Sequence, residues 1–230
     1  MRLTVSWTLL AVIIFLSTCV DKCITLNRYI PYSFGQLIKS KSNDISKSKV
    51  ENLGAVLKKH VHELRDTINK QVDLIFLVDS SASVGPQNFL DELKFVKKLL
   101  ADFTVDQNHT RVSVITFSSR QKVIRQVDYL SNPGPTKHKC ALLAEVIPQI
   151  QYAGGGTFTL GAFLEAKKVL EFARPTAHQA VFLVTDGFSN GGDPRPLAVN
   201  LQKRGIKIFT FGIRNGNTRE LRDIASEPKK

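Results

Sequence analysis

The chain has 230 residues, 43% of them hydrophobic, and a formal net charge of +12. That length allows one ordinary domain with a tail or a small helical appendage, and the apolar content is enough for a packed core. Three cysteines without a Cys-x-x-Cys spacing exclude zinc-knuckle and thioredoxin-type chemistry.

At the amino terminus, Arg2, the apolar run Leu9–Leu16 and the small residues of Ser17-Thr18-Cys19 make up the three parts of a secretory signal peptide. The run is shorter than the roughly 20 apolar residues that a spanning helix needs. Residues 1–19 are therefore read as a cleaved signal, and the protein as secreted and not membrane-spanning. Residues 20–49 read as a flexible Lys/Ser-rich linker, with Lys39-Ser40-Lys41-Ser42 and Ser46-Lys47-Ser48-Lys49 as its clearest parts. Over 50–71, Val50, Leu53, Leu57, Leu64 and Ile68 fall near one stripe and predict an amphipathic helix. Three heptads are marginal for a coiled coil, so the helix is expected to dock on its own domain.

Secretion gives the remaining features their meaning. Half of the net charge lies in residues 1–71 and half in 72–230. Plain solvation is the default reading of such a spread excess; in a secreted protein it also favours acidic partners, sulphated glycans or anionic matrix proteins, over nucleic acid. Asn108-His109-Thr110 is a glycosylation acceptor in a polar stretch between apolar elements. Cys19 lies at the cleavage site. Cys23 and Cys140 then remain, either to bridge each other or to stand without a partner in this chain.

From residue 72 the pattern alternates. Leu74–Val78 is a continuous apolar strand. A helix opened by Gly85-Pro86 follows, with Phe89, Leu93, Val96 and Leu100 on one face. Arg111–Phe117 is a second strand, and Lys122–Tyr129 alternates as an antiparallel edge strand would. Helices are predicted over Thr136–Ile150, disrupted at its end by Pro148, and over 159–173. Ala180–Thr185 is an apolar strand. Asp193-Pro194 opens a helix through Leu197 and Leu201, and Ile206–Gly212 is the next strand. Asn217 and Glu220 form a capping pair for a last helix with Leu221, Ile224 and Ala225 inward. This order predicts an α/β, doubly wound and mostly parallel sheet with one antiparallel edge strand, whose ligands bind beyond the carboxyl ends of the strands.

Three polar features converge at those ends: Asp79-x-Ser81-x-Ser83, the loop Gly154-Gly155-Gly156-Thr157, and Thr185-Asp186-Gly187. Carboxylates and hydroxyls are hard oxygen donors, suited to a hard cation such as Mg²⁺, which takes six oxygens at about 2.1 Å. Asp79 and Asp186 would coordinate directly or through waters, with hydroxyls from Ser81, Ser83 and Thr157. Two carboxylates and three neutral hydroxyls leave the metal under-neutralised, so an open position would attract an external carboxylate.

These five positions, in order and in these strand contexts, resemble the metal-ion-dependent adhesion site of von Willebrand factor type A domains, over residues 72–226. His138-Lys139-Cys140-Ala141-Leu142-Leu143, Thr185 through Pro196 and Phe209-Thr210-Phe211-Gly212-Ile213 narrow the resemblance to A domains of mosaic proteins that also carry sushi, EGF-like and pentraxin modules. It implies a Rossmann-like fold over 72–230, function in cell adhesion or the extracellular matrix, and Mg²⁺ or Mn²⁺ as the cofactor. It also implies one more strand and a carboxy-terminal helix after Lys230, with a cysteine there to pair with Cys140. The chain is accordingly expected to be a fragment.

Enzyme readings fit less well. Gly187-Phe188-Ser189-Asn190-Gly191 matches a Gly-x-Ser-x-Gly nucleophile elbow, making a serine hydrolase at Ser189 the rival. However, Gly191-Gly192-Asp193-Pro194 intervenes before the next helix, and all five histidines precede Ser189. Ser81 stands where a haloacid-dehalogenase-type phosphatase needs a second acid, and the glycine run lacks the Lys of a P-loop. The non-enzymatic alternative is a metal-free structural module in which Asp79 and Ser81 only cap the following helix. The expectation is a secreted, non-catalytic module binding a protein through a divalent metal, with Phe188 and the Ser189–Asp193 loop around the contact surface.

Overall fold

A computed structural model describes residues 71–132, 139–187, 189–213 and 218–226. The signal peptide, the linker, the amphipathic helix up to residue 70, Cys23 and Phe188 lie outside them. Strand β1 is Val72–Asp79, helix α1 Gly85–Ala101, β2 Thr110–Phe117 and β3 Val123–Asp128. Then come α2 at Thr159–Leu170, β4 at His178–Thr185, α3 at Arg195–Lys203, β5 at Lys207–Gly212 and α4 at Thr218–Ile224.

The sheet order is β3-β2-β1-β4-β5. β1 pairs in parallel with β2 and β4, β4 in parallel with β5, and β3 runs antiparallel to β2 at the edge. β1 is thus central, and its continuous apolar run follows from burial on both faces. Leu74, Phe76 and Val78 belong to the core under α1, with Phe89, Leu93, Val96 and Leu100. Ile75 and Leu77 point to the opposite core, built with Phe163 and Ala166 of α2, Leu201 of α3 and Ile224 of α4. The period of two along a strand delivers this split. On the α1 face, Phe182 stacks on Phe76 at 5.1 Å and on Phe209 at 4.9 Å between ring centroids. β3 takes the edge position read for it, but its burial does not alternate: only Val127 of its six residues is buried, and Ile124 is exposed.

The predicted helix over Thr136–Ile150 departs from a regular α-helix. Lys139–Ala141 is α-helical, Leu142–Val146 is wider than an α-helix, and Ile147–Gln149 tightens to a 3₁₀ turn. Pro148 has no N–H to give and its ring opposes an α-turn, so the segment closes through the Ile150 N–H to Ile147 C=O bond instead. Its inner side still buries Leu142, Leu143 and Ile147. At α3, the side chain of Asp193 accepts the Arg195 N–H at 2.9 Å, as the opening pair requires, and Leu201 is buried while Leu197 is only partly so. Asn217 lies outside the described residues. Cys140 is disulfide-bonded, and both other cysteines lie outside the described residues. No helix among the described residues is long and apolar enough to cross a membrane.

Candidate metal centre

The carboxyl end of β1 runs straight into the site. Asp79, its last residue, is fully buried, and Ser80 and Ser81 follow it into a buried turn. Asp79 Oδ1 accepts the Ser81 N–H at 2.8 Å, folding the chain back so that Ser81 and Ser83 present their hydroxyls 3.1 Å apart. Ser83 donates to Asp186 Oδ1 at 2.8 Å, joining positions 103 residues apart in the chain. Asp186 is the first residue after β4, the strand beside β1.

Thr157 arrives from a third loop. Gly154 and Gly155, at φ of +63° and +107°, turn the chain where other residues would be strained. The loop is tied to the β1 turn by Ala82 N–H to Gly155 C=O, by Ala153 N–H to Ser80 Oγ and by the Tyr152 hydroxyl to Ser81 C=O. Gly187 marks where the loops meet: a Cβ placed there would stand 3.7 Å from both Ser83 Oγ and Thr157 Oγ1. The bare backbone at 187 therefore leaves a cradle between those two hydroxyls. Four of the five singled-out side chains are linked through Asp79, Ser81, Ser83 and Asp186, and the fifth, Thr157, flanks the same glycine.

The electrostatics of this cradle are those of a site short of positive charge. Burial is the chief cause that pushes the Asp79 carboxyl up to about 6; hydrogen bonds from Thr185 and Ser81 pull it back in part, and Asp186 adds repulsion. Glu92, on the buried side of α1, is also fully buried, and among the described residues neither of its carboxyl oxygens has a partner in good hydrogen-bond geometry. Desolvation first, then the charges of Asp79 and Asp186, hold it well above the ordinary carboxylate range. Neither shift has a cationic side chain among its causes. Among the described residues no group of three or more His, Cys, Asp or Glu is placed to hold a metal, so any cation here would rest on hydroxyls as much as on carboxylates. Such a donor set fits a hard divalent ion and does not fit a soft one.

The sequence reading brings Thr185 and the loop of Asn190 near the site without a role for either side chain, and passes over Glu92. The Thr185 hydroxyl donates to Asp79 Oδ2. Its signal was available: a hydroxyl residue closing an apolar strand immediately before Asp186. Glu92 was legible as a charged residue three after Phe89 and four before Val96, on the stripe that must face the core. Asn190, whose side chain accepts the Thr157 N–H at 3.1 Å, carried no local signal, because its partner is 33 residues away.

The readings that competed with a metal centre can be placed on the same geometry. α1 begins at Gly85 with no side-chain cap, so Asp79 and Ser81 do not serve as its cap. Among the described residues Ser189 Oγ is buried without a hydrogen-bond partner, so no base among them engages that hydroxyl, and the next helix, α3, starts only at Arg195.

Residues 73–230 match the family model of the von Willebrand factor type A domain. The chain belongs to that family. It is 53% identical, over 183 residues and 80% of its length, to the sushi, von Willebrand factor type A, EGF and pentraxin domain-containing protein 1 of Rattus norvegicus, of which it spans 5%. Among solved structures, the manganese-loaded TRAP protein of Plasmodium vivax superposes with a TM-score of 0.58 at 26% identity, covering 68% of this chain and 63% of that one. Proximal thread matrix protein 1 from the mussel byssus, with a zinc-occupied MIDAS motif, gives 0.59 at 26% identity, covering 68% and 39%. Divalent metal is thus present in two solved relatives of this domain.

Proposed function

We propose that this domain is a non-catalytic, extracellular adhesion module that binds a protein partner through Mg²⁺ or Mn²⁺, held by Asp79, Ser81, Ser83, Thr157 and Asp186. The observation that carries this reading is the closed chain from Ser81 through Ser83 to Asp186, which gathers oxygens from two strand ends beside a buried carboxylate lacking any countercharge. A bound ion supplies Lewis acidity toward an incoming carboxylate. The chain's own residues do the rest. Asp79, Ser81 and Thr185 hold a rigid floor, Ser83 and Asp186 form the wall, and the exposed rim at Ser83 leaves a path for an acidic side chain of the partner.

The positive net charge adds long-range attraction for acidic proteins or sulphated glycans. Asn108 is exposed next to the amino-terminal end of β2, the pole opposite the cradle, so a glycan there would leave the rim clear. Secretion through residues 1–19 and a Cys23–Cys140 bridge belong to the same proposal.

The test is a set of short peptides carrying one Asp or Glu, each paired with its Asn or Gln counterpart, offered to the full chain in MnCl₂ and in EDTA. Binding of the acidic peptides only, reversed by EDTA and lost in Asp186→Ala, is expected. Equal binding of the amide peptides, or indifference to EDTA, would overturn the reading.

A further inference from the structure

The Thr157 hydroxyl reaches the cradle on three consecutive glycines, Gly154 to Gly156, a segment with little stiffness of its own. What holds it comes from the loop after β4. Asn190 Oδ1 accepts the Thr157 N–H at 3.1 Å, and the Asn190 N–H donates to the Thr157 C=O at 2.9 Å. Both polar groups of one residue's backbone are thereby fixed by one other residue, which sets the direction of the Thr157 Cα–Cβ bond. A Cβ at Gly156 would stand 3.1 Å from both terminal atoms of the Asn190 amide, so the amide rests directly on the glycine backbone.

A second tie runs alongside. The Phe158 ring is wedged between Gly161 and Gly191, so tightly that a Cβ on either would fall 2.2 or 2.1 Å from the ring. Arg120 lies over that ring at 4.8 Å and donates to the Gly191 C=O at 3.2 Å. The loop bearing Thr157 and the loop bearing Asp186 are therefore pinned to each other at two adjacent points.

We infer that Asn190 is a positioning residue of the metal centre: it holds the Thr157 hydroxyl in coordinating orientation and locks the Thr157 loop to the Asp186 loop. The inference rests on the reading of the five side chains as a divalent-cation site. It distinguishes Asn190 from its loop neighbours, because its amide acts on the Thr157 backbone, not on the ion or the partner. Removal of an outer residue that orients a metal ligand costs 10- to 100-fold in affinity in metal sites generally.

The experiment titrates MnCl₂ by calorimetry into the full chain, as wild type, Asn190→Ala, Asn190→Asp, Thr157→Val and the Asn190→Ala/Thr157→Val double variant. Melting temperatures in EDTA are measured alongside. Asn190→Ala is expected to weaken Mn²⁺ about tenfold while its melting temperature in EDTA stays within a few degrees of wild type. Asn190→Asp keeps the acceptor oxygen and restores affinity to the wild-type level or above. Adding Asn190→Ala to Thr157→Val costs nothing further, as required if one acts through the other.

Unchanged affinity in Asn190→Ala, or losses that multiply in the double variant, would overturn the inference and leave the metal site standing. A large drop in metal-free melting would make Asn190 a structural residue and overturn it too. Wild type that binds no Mn²⁺ would bring down the site itself.

Discussion

Strand β1 carries a fully buried aspartate near each end, and the two are treated in opposite ways. At the amino-terminal end, Asp73 is closed off by Arg174, whose Nε, Nη2 and backbone N–H all reach its carboxylate, at 3.0, 2.6 and 2.7 Å. The remaining guanidinium donors go to the carbonyls of Val72, Gln107, Asn108 and His109. Charge and hydrogen bonds are complete inside the protein. At the carboxyl end, Asp79 receives a peptide N–H and hydroxyls but no cationic side chain among the described residues, and its neighbour Asp186 adds charge of the same sign. One strand thus carries one buried carboxylate matched by a cation of the chain and one left without such a match, where the proposed function puts a cation from outside.

The largest expected effect breaks the complete end. Arg174→Met should lower stability by about 3–5 kcal/mol, the cost of stranding a buried charge. Urea denaturation would read it. A change near zero would mean that Asp73 finds other partners and that the contrast between the ends is weaker than drawn.

The open end should respond with the opposite sign. Asp79→Asn keeps an oxygen for the Ser81 N–H and removes an uncompensated charge. Without metal at pH 7.5 it should stabilise the domain by roughly 2–3 kcal/mol, while abolishing the rise in melting temperature on adding Mn²⁺. A destabilised Asp79→Asn protein would show that the carboxylate is held by something other than an added cation.

The pH dependence sharpens the same point. Asp79 ionises near 3.8 when unfolded and at about 6 in the metal-free fold, so the folded state holds the proton more tightly. Its contribution to stability is full below about pH 4 and is lost as pH rises through about 6. Glu92 shifts in the same direction. The stability advantage of Asp79→Asn over wild type in EDTA should therefore shrink steadily between pH 7 and pH 4, followed by thermal melts in matched buffers. A constant difference would remove the burial argument.

The smallest effect is a control away from both ends. Lys94 and Asp91 form an exposed pair on α1 at 2.8 Å. Lys94→Ala should change stability by at most about 0.5 kcal/mol.

Much of the fold was legible because its signals are local. The unbroken apolar run of β1 announces a buried strand, the sequence alternation of β3 an edge, and Asp193-Pro194 the start of α3. The composite helix ending at Gln149 was drawn too regularly, since Pro148 decides only that an α-turn fails, not how the preceding turns absorb it. At the site, Asp79, Ser81 and Ser83 were readable as one motif, and the loops bearing Thr157 and Asp186 as polar breaks after apolar elements. Their mutual distances were not, because these depend on which strands adjoin. Asn190 belongs wholly to that second kind: its role exists only once the loops after β4 and before α2 lie side by side.

The central claim is that the carboxyl end of β1 is a cation site completed from outside the chain. Calorimetric titration of MnCl₂ into the metal-free full chain at pH 7.5, for wild type and Asp79→Ala, tests it most directly. One Mn²⁺ per chain in wild type and no saturable heat in Asp79→Ala is the predicted result. No heat in wild type, or the same isotherm in both proteins, would contradict it.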